Sequence, residues 1–368
     1  MHSSLPQASE LVPSSVYPEH GRAAWVVAQR EFAQTVPTHR PTDPNRPQGV
    51  FLERERLANG EIAESGVVLL TNKECPWRCL MCDLWKETTT ESVPVGAIPR
   101  QIEFAQKRLA ELRENAAKSR DGAANGKHPA GSEQAWRSGC TDWPAQMKLY
   151  NSGSFFDPAA IPVEDYSEIA QRVASVGNVV VESHPRLIGD ATLRWRDLRN
   201  GQGVEVAMGL ETAHAGVLDR LNKKFDLAQF AHAAGFLQEA AIALRVFLLV
   251  KPPFMTEDAA VEWSVKSAAF AFDCGASAVS LIATRAGNGA LERLREHGEF
   301  AEPQLATLEG AQAGALALRR GRVFADTWGA ERFSACPHCW PARRERIENM
   351  NLTQVIQPRV VCVRCGGK

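Results

Sequence analysis

A short apolar run, Gly66-Val67-Val68-Leu69-Leu70-Thr71, leads almost directly into Cys75-Pro76-Trp77-Arg78-Cys79-Leu80-Met81-Cys82, and this junction constrains the chain more than any other feature. The run has the β-branched, apolar character of a buried strand. The cysteines after it are separated by three and then two residues, close enough to ligate one metal cluster. They are one ligand short of the four Cys that a 4Fe-4S cluster ordinarily takes, so one iron is left open to chelate a small molecule. A structural zinc site would ask for a fourth Cys or His nearby, and none lies between Asn72 and Trp85. Zinc, or two buried Cys beside an unrelated third, is therefore the weaker explanation. Ligands on the loop after a first strand also sit where a (β/α) barrel keeps its chemistry.

Further strand patterns follow at residues 147–150, 179–182, 204–210, 243–250 and 278–282. Helical stretches separate them, among them residues 101–115, 227–241 and 257–274. Such alternation predicts an α/β fold with a parallel sheet, and six strands predict a partial (β/α)6 TIM-like barrel open on one side for a large substrate. The chain has 368 residues, 44% of them hydrophobic, enough to bury a large core. Residues 1–50 read as a proline-rich N-terminal arm with one helix-like patch at 23–32. Residues 51–325 read as the barrel, with a flexible Gly/Ala/Ser/Lys-rich insertion at 117–141, and 326–368 as a cysteine-bearing extension.

The net charge of −1 gives no global electrostatic case for nucleic acid or an anionic membrane. No apolar run reaches the length of a membrane span and the N-terminus has no apolar leader, so a soluble, cytoplasmic protein without a membrane partner is expected. Seven of the nine Cys fall in tight metal-type clusters, which suits a reducing compartment. Cys274 reads as a small buried hydrophobe at a helix end. Cys140, in a polar stretch, reads as a stray thiol, with a functional thiol as the alternative.

If the strands are parallel, the residues at their C-terminal ends converge over the cysteine loop. The second runs into Asn151-Ser152-Gly153-Ser154-Phe155-Phe156-Asp157-Pro158, where Ser152, Gly153 and Ser154 suit a ligand cradle or a plain turn. Glu182 and Glu211 close two apolar strands, and a carboxylate there is costly to bury without a partner. Lys251, followed by two prolines, can meet an acidic group. Each alone is equally a structural ion pair; their recurrence at successive strand ends points to a ligand. Asn222 and Lys223 cover the site or form a solvated helix end. Thr284-Arg285-Ala286-Gly287-Asn288-Gly289 suits a loop around a cofactor, with Asn288 as the contact. His184 is read as a hydrogen-bonded structural residue, with a proton relay as its alternative.

Cys336-Pro337-His338-Cys339 and Cys362-Val363-Arg364-Cys365 form two knuckles separated by 22 residues. Four thiolates make a closed tetrahedral site, so a structural zinc is expected, with an auxiliary iron-sulfur cluster as the alternative. Arg343, Arg344, Arg346, Arg359 and Arg364 between and around the knuckles read either as a basic nucleic-acid patch or as a solvated ribbon face.

Taken together, the Cys75–Cys82 triplet, Asn151 to Pro158, Gly209-Leu210-Glu211-Thr212, Asn222-Lys223 and Lys251-Pro252-Pro253-Phe254 resemble the radical SAM family that contains the archaeosine synthase radical SAM subunit. That family lies in the branch of the elongator catalytic subunit and the tRNA methylthiotransferases. The resemblance covers the chain from about Gly66 to its end. It implies a radical SAM enzyme in which Cys75, Cys79 and Cys82 hold a 4Fe-4S cluster. S-adenosylmethionine (SAM) would bind the open iron and be cleaved to a 5′-deoxyadenosyl radical that takes hydrogen from the substrate. It places Glu182, Glu211 and Lys251 around SAM. A tRNA-linked modified base is the implied substrate, with a tRNA-guanine transglycosylase-like subunit, tRNA and an electron donor such as flavodoxin or ferredoxin as partners. The first two cluster Cys are more widely spaced in the archaeal enzymes, which leaves a sister branch with another substrate open. The methylthiotransferase N-terminal domain and an acetyltransferase domain are both missing, which disfavours those activities. A small molecule or peptide substrate, and a non-catalytic metal-binding scaffold for RNA or protein, are the remaining alternatives. No catalytic side chain is assigned.

Overall fold

In a computed structural model of the chain, residues 10–33, 43–123 and 144–365 are described. Cys140, and the expected insertion from residue 124 onward, lie outside the described residues. Eight strands form one sheet in chain order: β1 (Gly49–Arg56), β2 (Ile62–Leu69), β3 (Gln146–Tyr150), β4 (Asn178–Ser183), β5 (Gly203–Glu211), β6 (Ala243–Val250), β7 (Ala278–Ala283) and β8 (Arg322–Ala325). β1 and β2 are antiparallel, and each later neighbouring pair is parallel. The six expected strands are β2 to β7, so the partial barrel stands. The count of six does not, because β1 and β8 extend the sheet at its two edges.

The helices begin with α1 (Arg22–Ala28), ahead of the sheet, and α2 (Ala97–Ala123), between β2 and β3. Then come α3 (Tyr166–Arg172), α4 (Asp190–Leu198), α5 (Ala215–Arg220), α6 (Leu227–Glu239) and α7 (Glu257–Asp273). The last are α8 (Ala290–Glu296), α9 (Leu305–Ala317) and α10 (Trp340–Thr353). In α2 the buried residues Ile98, Ile102, Ala105 and Leu109 recur at helical spacing and form the face that packs on the sheet. That helix continues to Ala123, so residues 117–123, expected to be flexible, are helical.

Register separates the two faces of the sheet. Met147, Val179 and Val204 lie side by side on the outer face, as do Val246, Val279 and Val323, and all are buried beneath helices. The inner face carries Lys148, Val180 and Glu205 in one line and Arg245, Ala278 and Arg322 in another. Strands β3, β5, β6 and β8 thus turn apolar residues outward and a charged one inward at this level, while β4 and β7 are apolar on both faces.

The floor of the concave side is a charge network. Arg245 meets Glu55 and Glu205 at 2.5 Å, Arg322 meets Glu205 at 3.2 Å, and Lys148 binds Glu53 and Glu55. Three carboxylates face three cations, so the network is neutral. Burial alone would raise the Glu55 carboxyl, but Arg245 and Lys148 hold it well below the usual carboxylate range. Pairing of this kind satisfies buried charge and fixes strand register more than it adds net stability.

α10 packs against both edge strands. Asn351 accepts the Ala325 N–H at 2.8 Å and donates to its carbonyl at 2.9 Å, and Gln354 does the same for Val323 at 2.6 and 3.0 Å. Two side-chain amides thereby stand in for a ninth strand, so the free edge of β8 offers no template for pairing.

Candidate functional site

The cysteine loop lies over the C-terminal ends of the parallel strands and is held there by side-chain amides. Asn222 donates to the carbonyls of Trp77 (3.2 Å) and Arg78 (2.8 Å), and Asn288 to those of Leu80 (2.7 Å) and Cys82 (3.2 Å). The Leu80 N–H donates to the Leu221 carbonyl at 3.0 Å. Asn288 is thus spent on the loop, with its Oδ1 accepting from the Leu291 N–H at 2.9 Å. The arm before the sheet adds a second wall: Arg30 and Arg78 both bind Glu74, and Tyr17 and Val26 pack with Leu80, Phe254 and Leu294.

Burial pushes the thiols of Cys75, Cys79 and Cys82 up to about 12. Ionising them at neutral pH takes a bound cation, which deprotonates a coordinating thiol outright. Lys223 supplies a fixed positive charge beside them. Burial works against that charge, but Glu211 at 2.5 Å and the neighbouring Cys79 and Cys75 outweigh it and raise its pKa. A β-carbon on Gly209 would fall 2.7 Å from the Lys223 Nζ and closer still to the Glu211 carboxylate, so only glycine leaves room for this pair.

The loop after β3 approaches equally closely, with the position of a Gly153 β-carbon 3.3 Å from the Cys75 Cβ. Glu182, expected as a ligand contact, accepts N–H groups from Asn151, Ser152 and Gly153, yet burial still lifts its carboxyl to about 7. Ser154 shares a hydrogen bond with Ser183 at 2.9 Å. The neighbouring Asn151 is fully buried, and among the described residues nothing reaches either atom of its side-chain amide. Buried polar atoms rarely go unpaired, so a polar ligand at this cradle fits the residues present. Lys251 pairs with Glu257 at 2.6 Å. His184 is pulled down by burial to about 3, and its Nδ1 accepts the Arg186 N–H while its Nε2 bonds the Lys223 carbonyl at 2.8 Å. It is neutral and structural, and Trp77 stacks on it at 4.1 Å.

Backbone strain concentrates in the same place. Arg78, Ser152, Glu211, Asn222, Lys251 and Phe254 all have φ between 38° and 69°. Each such residue costs about 1–3 kcal/mol, a cost found mostly at functional sites. Lys223 is the residue that sequence reasoning undervalued, because its pairing with Glu211 depends on the turn between α5 and α6.

The C-terminal knuckles form a separate site. The four sulfurs of Cys336, Cys339, Cys362 and Cys365 lie within 4.8 Å of one another, with Cys339 and Cys365 at 3.8 Å. Metal–sulfur bonds of about 2.3 Å in a tetrahedron place sulfurs about 3.8 Å apart, so the group can hold a single ion. Backbone N–H groups of Arg364 and Cys365 lower the Cys362 thiol to about 6. Of the five arginines read around these knuckles, Arg343 and Arg346 are buried on Glu309, while Arg344, paired with Glu348, stays exposed together with Arg359 and Arg364. Among the described residues no helix is long and apolar enough to cross a membrane.

No family model matches the chain. An uncharacterized protein of Methanocaldococcus jannaschii is 24% identical over 89% of this chain and 86% of its own length. The archaeosine synthase subunit beta of Thermococcus kodakarensis is 32% identical over 45% of this chain, a match that spans about half (52%) of that protein. Its counterpart in Methanosarcina acetivorans is 23% identical over 72% of this chain and 70% of its own length. The resemblance drawn from the motifs is thereby borne out. Among solved structures, methylornithine synthase superposes with a TM-score of 0.43 and 12% identity, covering 69% of this chain and 63% of that one. The Elp3 of Methanocaldococcus infernus gives 0.40 and 13%, covering 50% and 47%.

Proposed function

We propose, from its relation to the archaeosine synthase β subunits, that this chain is a radical SAM enzyme acting on a modified base carried in tRNA. The observation that carries the reading is the convergence of Cys75, Cys79 and Cys82 with the Lys223–Glu211 pair and the unsatisfied Asn151 amide at one end of a partial barrel. In this reading the three Cys ligate a 4Fe-4S cluster, which when bound supplies the electron that cleaves SAM to a 5′-deoxyadenosyl radical. Asn222 and Asn288 fix the ligand loop. Ser152, Gly153 and Ser154, backed by Glu182, form the wall against which SAM lies. Lys223 balances the negative charge that three thiolates bring into a buried site. Glu211 and Lys251 are already paired within the chain, so they orient this wall as ion pairs.

The Cys336, Cys339, Cys362 and Cys365 site holds zinc in this account, since its sulfur spacing suits a single ion better than a cluster. A transglycosylase-like partner subunit, flavodoxin or ferredoxin as reductant, and a cytoplasmic setting complete the picture. The test of the substrate class is anaerobic: the reconstituted chain, SAM and dithionite are assayed for 5′-deoxyadenosine with and without bulk tRNA. Stimulation by tRNA is expected. Equal yields with every tRNA fraction, alone and with the partner subunit, would move the reading to a small molecule or peptide.

A further inference from the structure

Above the charged floor, Tyr150, Glu182, Phe247, Ser280 and Ile282 keep part of their surface open although they sit mid-sheet. Their outward neighbours Leu149, Val181, Val246 and Leu281 are all 0% exposed. Register puts the partly open set on the inner face. Surface that remains on the inner face of a helix-covered sheet faces the hollow of its concave side.

Two strands, β4 and β5, separate Tyr150 from Phe247, yet the two rings meet with centroids 5.8 Å apart and planes at 81°. They reach each other across the concavity because β5 places only Ala207 and Gly209 on its inner face at that height. The upper end of the hollow is the Lys223–Glu211 pair over Gly209, beside Cys79 and Cys75. Its lower end is the neutral floor network, where Arg245 lies over the Phe324 ring at 5.1 Å.

Charge in the hollow is already matched. Lys223 is taken by Glu211, and the floor cations by Glu53, Glu55 and Glu205, so a phosphate entering here would find no unpaired cation among the described residues of the hollow. Aromatic faces are what the hollow offers, and every nucleobase has a π-face to set against them.

We propose that this hollow receives the flat, uncharged heterocycle of the substrate nucleotide, with Phe247 and Tyr150 as the residues that grip its ring. The inference rests on the tRNA-base reading above and adds to it where the base is held and by what. It requires the base to leave its stack and enter the barrel while the phosphates stay outside.

The probe is guanosine, with D-ribose as the ring-free control, each titrated against the full chain at neutral pH by saturation-transfer NMR. Guanosine is expected to bind and ribose not. Phe247→Leu and Tyr150→Leu should each weaken guanosine roughly fivefold to a hundredfold, from stacking worth about 1–3 kcal/mol per base. Phe247→Trp, which keeps an aromatic face, should stay within a few-fold of the parent. Guanosine binding no tighter than ribose, or leucine variants within twofold of the parent, would overturn the proposal. Thermal melts show which variants fold, and if one leucine variant does not, the other and Phe247→Trp decide. SAM cleavage by the parent chain is read separately. Its failure would remove the radical reading while the ring titration still judges the hollow.

Discussion

Replacing Lys223 with methionine tests the electrostatic design of the site. Lys223 and Glu211 are each 7% exposed and meet at 2.5 Å, in room that only a glycine at 209 leaves. Removing one member of a buried pair leaves the other charge uncompensated, at a cost of about 3–5 kcal/mol. At roughly 2–4 °C per kcal/mol, the melting temperature should fall by about 6–20 °C. Lys223 has its pKa raised by folding, so its contribution is fully present below the unfolded value of 10.5 and fades only as pH climbs through the higher folded value. Measurement at neutral pH therefore sees all of it. The assay is a double-mutant cycle by thermal and denaturant unfolding with Lys223→Met, Glu211→Gln and both together. A coupling of about 1.5 kcal/mol or more is expected. Single losses below about 0.5 kcal/mol that simply add would show that the pair is not the buried unit described.

Three further outcomes follow from the same geometry. Glu182 has its carboxyl raised by burial from 4.5 to about 7, so the folded state holds a proton that the unfolded state releases; stability should fall as pH rises from about 4.5 to about 7, and Glu182→Gln should flatten that slope in urea titrations. Asn288→Ala leaves the Leu80 and Cys82 carbonyls unpaired and should cost about 1–3 kcal/mol and slow cluster reconstitution, followed by visible absorbance; an unchanged reconstitution rate would mean that the loop is held by other contacts. Cys362→Ser should abolish stoichiometric metal at the C-terminal site, read by elemental analysis, while the iron that the Cys75 loop takes up is retained; loss of both metals together would join two sites that the structure keeps apart.

Much of the fold was legible in the sequence, and the exceptions share a cause. Strands β2 and β4 to β7 carry β-branched apolar residues, and β3 carries Met147 and Leu149, because their outer faces are sealed by helices. β1, Gly-Val-Phe-Leu-Glu-Arg-Glu-Arg, escaped because Glu53 and Glu55 look like a solvated charge run until Lys148 from β3 and Arg245 from β6 are brought to them. β8 escaped because four residues beginning with arginine are too few for a pattern, and its edge is completed by Asn351 and Gln354. In the site, the strand-end carboxylates were visible, since Glu182 and Glu211 stand out after apolar runs. Their partners were not: backbone amides from another loop hold Glu182, and Lys223 pairs with Glu211 from a turn twelve residues on. The arginine cluster loses two of its five members to burial, because spacing does not reveal that Glu309, on a different helix, binds Arg343 and Arg346.

Anaerobic reconstitution with iron and sulfide, reduction by dithionite and chromatography for 5′-deoxyadenosine test the central claim most directly. The parent chain is predicted to take up about four iron per Cys75–Cys79–Cys82 loop and to release 5′-deoxyadenosine from SAM. Cys79→Ala should do neither while keeping its C-terminal metal. Intact SAM after reduction of a fully loaded parent chain would contradict the account.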